Sequence, residues 1–192
     1  MMRGEEINFE DFLGRRTLIV GDVGTGKTRL LSHFLDYLIE ERGYEREVTL
    51  IEMAPAYKGI GAPVESYTKN VWKIRYLKPA KIFPPRILGR DSKEVLRYAE
   101  QNRVELEPLL WKFERDPTKI LLINDLTIFL HAGDPEKIIR IIDLCETFAA
   151  TAYEGERLKP DKGSGITRRE ERALSLIKEH VDKVICLVKP LK

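Results

Sequence analysis

The segment Gly21-Asp22-Val23-Gly24-Thr25-Gly26-Lys27-Thr28 fits a phosphate-cradling pattern, G-x-x-x-x-G-K-[ST], at every fixed position. Its glycines let successive backbone N–H groups converge on phosphate oxygens without side-chain obstruction. Asp22, Val23 and Thr25 fill the variable positions and contribute their amides. Lys27 supplies a cation to bridge neighbouring phosphates, and the Thr28 hydroxyl is a ligand for Mg²⁺. The setting agrees with the pattern. Thr17-Leu18-Ile19-Val20 before it reads as a buried strand, and Leu30, Leu31, Phe34, Leu35 and Leu38 after it recur at helical spacing. A helix starting there points its positive end at the same phosphates.

A second candidate lies at Ile120-Leu121-Leu122-Ile123-Asn124-Asp125, an apolar strand ending in an amide and a carboxylate. The two segments together resemble the nucleotide core of the P-loop NTPases. In that superfamily an aspartate after four apolar residues orders the Mg²⁺ shell. Two registers are open: Asp125 is the metal-side residue, or Asn124 occupies that place. A divalent cation favours an anionic shell, so Asp125 is the expectation. The best local match is to the RecA-like ATPases, in which a catalytic glutamate ends the strand that follows the P-loop helix. Glu52, after Val48-Thr49-Leu50-Ile51, stands in that place. The resemblance implies that Glu52 activates water, with Lys27 beside the transferred phosphate. A solvated strand-end carboxylate is the alternative. Leu126 follows Asp125, where many other ATPases carry an acid. ATP is expected over GTP, because Thr68-Lys69-Asn70-Val71 has only the first half of a guanine-reading Asn/Thr-Lys-x-Asp motif and Val188-Lys189-Pro190 has neither end.

Other features are less specific. Residues 67–90 hold seven basic side chains, Lys69, Lys73, Arg75, Lys78, Lys81, Arg86 and Arg90, with no acid and with Trp72, Tyr76 and Phe83 between them. Such a stretch can hold a nucleic acid backbone and stack its bases. The alternation with Lys73 and Arg75 instead favours a solvated strand face whose Trp72 and Tyr76 point into the core. Residues 154–169 form a Gly/Lys/Pro loop in which Lys162, Arg168 or Arg169 can reach a phosphate, as a lid or in a neighbouring subunit of a homo-oligomer. With such a lid, a small-molecule kinase is the competing activity, and a nucleotide-binding subunit with little turnover is a third. His33, His131 and His180 are scattered and make no ligand set. Cys145 and Cys186, each in an apolar run, read as buried thiols.

The bulk properties set the frame. The net charge is +2, from 33 basic and 31 acidic residues, which gives no global case for a polyanionic partner. Gln101 is the only glutamine, and the amide-poor, charge-rich composition suits a protein from a thermophile. The acidic start of the chain is no signal peptide, and no run approaches ~20 apolar residues, so a cytoplasmic protein without membrane contact is expected. Strands alternate with helices. The expected fold is therefore one α/β domain over 1–192, a mostly parallel sheet with helices on both faces; a RecA-like core is what the resemblance implies. Helices are expected from Asp91-x-x-Glu94 to about Arg115, kinked before Pro108, and from Asp134-Pro135 through Cys145 to Phe148. Another is expected from a capping box at Thr167-x-x-Glu170. Trp72 to Tyr76 should form a half-exposed strand, and Val184 to Val188 the last one.

Overall fold

The computed structural model of the chain describes residues 7–57 and 61–188. Residues 1–6, which carry the acidic start, residues 58–60, and residues 189–192 with the Lys189-Pro190 pair lie outside the described residues. Six strands form one parallel sheet: β1 (Arg16–Gly21), β2 (Val48–Glu52), β3 (Arg75–Leu77), β4 (Ile120–Asn124), β5 (Thr147–Tyr153) and β6 (Lys183–Leu187). Their order is β3-β2-β4-β5-β1-β6. β1, β2, β4 and β5 are buried almost throughout, which is why they read as continuous apolar runs.

The pleat divides the core in two. Leu18, Val20, Ile51, Leu121, Ile123, Phe148 and Ala150 face α3 (Ser92–Arg115), α4 (Thr127–Leu130), α5 (Pro135–Ile142) and α6 (Ile166–Lys178). Ile19, Leu50, Ile120, Leu122 and Ala149 face α1 (Lys27–Asp36). A short helix, α2 (Pro85–Leu88), precedes α3. Helices thus pack on both faces, as the alternation of elements required. Among the described residues no helix is long and apolar enough to cross a membrane.

Several local expectations need correction. The helix opened by Asp134 and Pro135 ends at Ile142, and Phe148 belongs to β5. Thr-Phe-Ala-Ala-Thr-Ala has no strong strand signature. It becomes a strand because its small side chains let helices close on a strand placed between β4 and β1. Only Arg75–Leu77 forms a strand in the Trp72 region. Trp72 sits on a 3-10 turn and is 61% exposed, so it is not a core residue. The helix expected from Asp91 to about Arg115 is α3, and it holds Pro108 inside it. The carbonyl that this proline leaves unpaired belongs to exposed Val104, on a face that water can reach. α6 is capped by Gly165 at φ +79°, not by Thr167, whose N–H is satisfied by Asp161 at 3.2 Å. Cys145 is half-buried, and Cys186 is exposed because β6 is an edge strand.

Candidate functional site

The site lies at the carboxyl ends of β1, β2, β4 and β5, where a parallel sheet leaves a crevice. Gly24 and Gly26 adopt φ +78° and +91°, left-handed conformations that turn the chain from β1 into α1. Asp22 tightens the same turn. Its Oδ1 accepts the Val23 N–H at 2.6 Å and its Oδ2 the Glu156 N–H at 3.1 Å. Burial opposes ionisation of Asp22, but these donors and that of Arg157 hold its pKa below the usual value. Lys27 folds over the loop, donating to the carbonyls of Gly21 at 2.8 Å and Asp22 at 2.7 Å. Burial lowers its pKa, partly opposed by the charges of Asp125 and Asp22.

Thr28, the second residue of α1, donates to Asn124 Oδ1 at 3.2 Å. Asn124, at the last position of β4, is therefore the residue against Thr28. Thr151 of β5 donates to the same oxygen at 2.8 Å. The Asn124 Nδ2 group donates to Glu52 Oε1 at 2.8 Å and to the Ala62 carbonyl at 3.0 Å. Asp125 follows in a left-handed conformation, φ +58°, which turns its half-buried side chain away from the strand. Its N–H donates to Thr151 Oγ1, and its Oδ1 accepts from Thr127, both at 2.8 Å. Burial raises the Asp125 pKa, partly offset by the Thr127 hydroxyl and the Lys27 charge. One pocket is lined by Gly24, Gly26, Lys27, Thr28, Asp125 and Thr151, with Ala54, Gly61, Ala62, Tyr67, Tyr153 and Leu158 at its rim.

Glu52 is only 4% exposed and is not among the residues lining that pocket. Its Oε1 accepts the Ala54 N–H at 2.9 Å as well as Asn124, and its Oε2 accepts the Val64 N–H at 2.8 Å. Burial pushes its pKa up to about 7, with the Asp125 charge in the same direction and the three donors against it. Burial and the Glu52 and Glu65 carboxylates also push up the pKa of the Tyr76 hydroxyl.

A buried cluster missed in the sequence lies behind the pocket. Arg86 pairs with Glu170 at 3.0 Å, and His131 Nε2 lies 2.6 Å from Glu170. Arg86 also donates to Thr167 at 3.2 Å, and its guanidinium lies over the Tyr153 ring at 5.9 Å. Burial opposes the Glu170 charge, yet His131 and Arg86 hold its pKa below the usual value. A buried arginine cannot contact a nucleic acid, which removes Arg86 from the basic stretch. Arg75, Lys78 and Arg90 are paired with Asp116, Glu65 and Glu94 at 2.8, 2.9 and 2.7 Å. Lys69, Lys73 and Lys81 have no ion pair among the described residues and are exposed. In the expected lid, Lys162 is spent on the carbonyls of Arg86 and Gly89, and Arg169 on that of Ala132. Arg168 is exposed. No family model matches the chain, and no curated protein matches it.

Proposed function

We propose that the protein is a RecA-like ATPase that binds Mg²⁺-ATP in this pocket and hydrolyses it. The observation that carries the reading is the convergence of Lys27, Thr28 and Asp125 on one cavity beside the loop Gly21–Thr28. Amides of the loop and the end of α1 hold the phosphates, and Lys27 moves from the Gly21 and Asp22 carbonyls onto the β- and γ-phosphates. The donors on the metal side are a hydroxyl, an amide oxygen and a carboxylate, all hard oxygens suited to Mg²⁺. Thr28 is the direct ligand, Asn124 shares its position, and Asp125 supplies the negative charge that orders the metal's water shell. The group bound there polarises the transferred phosphate. The RecA-like assignment rests on β5 standing between the loop strand β1 and the strand that ends at Asn124. Exposed Trp72, with exposed Lys69 and Lys73 beside it, favours a nucleic-acid-linked process.

The test is calorimetry and a phosphate-release assay on wild type, Lys27→Ala and Asp125→Asn. Lys27→Ala weakens ATP binding or abolishes turnover. Asp125→Asn lowers Mg²⁺-dependent hydrolysis by roughly 10–100-fold, the usual cost of losing an outer-shell partner of the metal, with little loss of nucleotide affinity. Equal affinity and equal turnover in wild type and Lys27→Ala would remove the reading.

A further inference from the structure

Asn124 is an amide in a position that controls the Thr28 hydroxyl, and an amide has two ends of nearly the same shape. Which end faces Thr28 is decided by what faces the other. On that side stand the Glu52 carboxylate at 2.8 Å and the Ala62 carbonyl at 3.0 Å, both acceptors. Only NH₂ can face them, so the oxygen must face Thr28 and Thr151. A flipped amide would set three oxygens against one another in a buried place. Glu52 and Asn124 are paired in register on adjacent strands, which makes the contact a property of the sheet.

The same carboxylate pins both ends of the connection that leaves β2. Ala54 is held on the way out and Val64 on the return. The two ends also close on each other: a Cβ on Gly61, at φ +67°, would lie 2.4 Å from the Pro55 carbonyl oxygen. Ala54, Gly61 and Ala62 are part of the pocket rim. Three donors fill three of the roughly four lone-pair sites of its two oxygens, and Glu52 does not line the pocket, so it is out of reach of an attacking water there.

We propose that Glu52 is a positioning residue, a carboxylate latch that orients the Asn124 oxygen toward the metal-side hydroxyl of Thr28 and fastens, through the Ala54 and Val64 amides, the connection whose Ala54, Gly61 and Ala62 line the pocket. This deepens the ATPase reading and rests on it for the metal half. Glu52 thus acts on the metal through Asn124, as an outer-shell partner that fixes the geometry of an inner group.

The test uses the full chain with Glu52→Gln, Asn124→Ala and the double variant. Hydrogen exchange without nucleotide reads the latch directly. Glu52→Gln offers one oxygen where two were used, and its NH₂ meets an N–H. Exchange at the Ala54 or Val64 amide should rise about tenfold, the scale of removing one hydrogen bond. The Mg²⁺ concentration for half-maximal ATP hydrolysis should rise roughly 10–100-fold in each single variant. At saturating Mg²⁺, turnover should fall less than tenfold. The double variant should be no worse than the worse single one, because both changes open the same latch. Unchanged exchange at both amides overturns the proposal. So does a 10²-fold or greater fall in turnover at saturating Mg²⁺ with an unmoved Mg²⁺ requirement, which is the signature of a base. If Glu52→Gln does not fold, Asn124→Ala decides the metal half: an unmoved Mg²⁺ requirement overturns it. Loss of ATP binding only through Lys27→Ala, with the exchange result unchanged, separates a fault in the latch from a fault in the ATPase reading.

Discussion

Asn124 and Asp125 differ by one residue and have different surroundings. The first faces Thr28 and Glu52, and the second turns into the pocket on a left-handed backbone. The sequence could pose that choice of register but not resolve it, since a left-handed aspartate leaves no mark in a run of apolar residues. Glu52 was visible as a strand-end acid. Its partners were not, because Val64 and Asn124 are 12 and 72 residues away. Burial gives Glu52 a testable effect on stability. Its pKa rises from 4.5 to about 7 in the fold, with Asp125 and Tyr76 facing it. Between those values the native state binds more protons than the unfolded one, so this group's contribution falls as pH rises from 4.5 to 7 and is level above. At about 1.4 kcal/mol per unit the change is on the order of 3 kcal/mol. Urea unfolding of wild type and Glu52→Gln without Mg²⁺ should give a difference that varies with pH in that window only. A difference that is flat from pH 4.5 to 7 would show that Glu52 ionises in the fold as it does in water.

At the scale of elements, the strong signals were apolar runs and caps. β1, β2 and β4 lie where uniform hydrophobicity placed them, and α5 begins at its Asp-Pro cap. β5 was hidden because alanine and threonine at a buried strand carry no period. With it went Thr151, which touches both Asn124 and Asp125. The Thr167-x-x-Glu170 spacing misled for another reason. Glu170 turns inward to Arg86 and His131, and a charge demanded by a buried partner overrides a local cap. That network ties α2, α4 and α6 together behind the pocket. Arg86→Met should destabilise the protein by roughly 3–5 kcal/mol, because it leaves the Glu170 charge buried with one cation fewer. Arg86→Met with Glu170→Leu should cost less than Arg86→Met alone, since no uncompensated charge remains. Urea midpoints at constant slope would read both. A double variant less stable than the single one would mean that the network stabilises by its shape and not by its charge balance.

For the whole molecule, the near-neutral composition conceals a local asymmetry that sheet order explains. β3 is an edge strand, and the 3-10 turn Asn70–Lys73 before it projects Trp72 into solvent. In such a turn residues three apart lie above one another, so Lys69 shares a side with Trp72. Tyr76 meets the Trp72 ring edge-on at 5.6 Å, and Lys78 lies 5.9 Å from it. Tyr67, 49% exposed, lines the pocket. An aromatic platform flanked by exposed lysines is suited to a single-stranded nucleic acid, whose bases stack on any ring and whose phosphates release counterions on binding. Trp72→Ala should weaken binding of an oligonucleotide by about 1–3 kcal/mol, the worth of one stacked base. Lys69→Ala, Lys73→Ala and Lys81→Ala together should instead flatten the dependence of affinity on salt, by about 0.7 in log–log slope for each phosphate that is no longer neutralised. Arg75, Lys78 and Arg90, held by internal acids, should contribute little to that slope when replaced. Fluorescence anisotropy with labelled single strands at several salt concentrations would separate the two effects. An affinity absent at the lowest salt, or equal in Trp72→Ala and wild type, would leave the exposed tryptophan as a surface for something other than a polynucleotide.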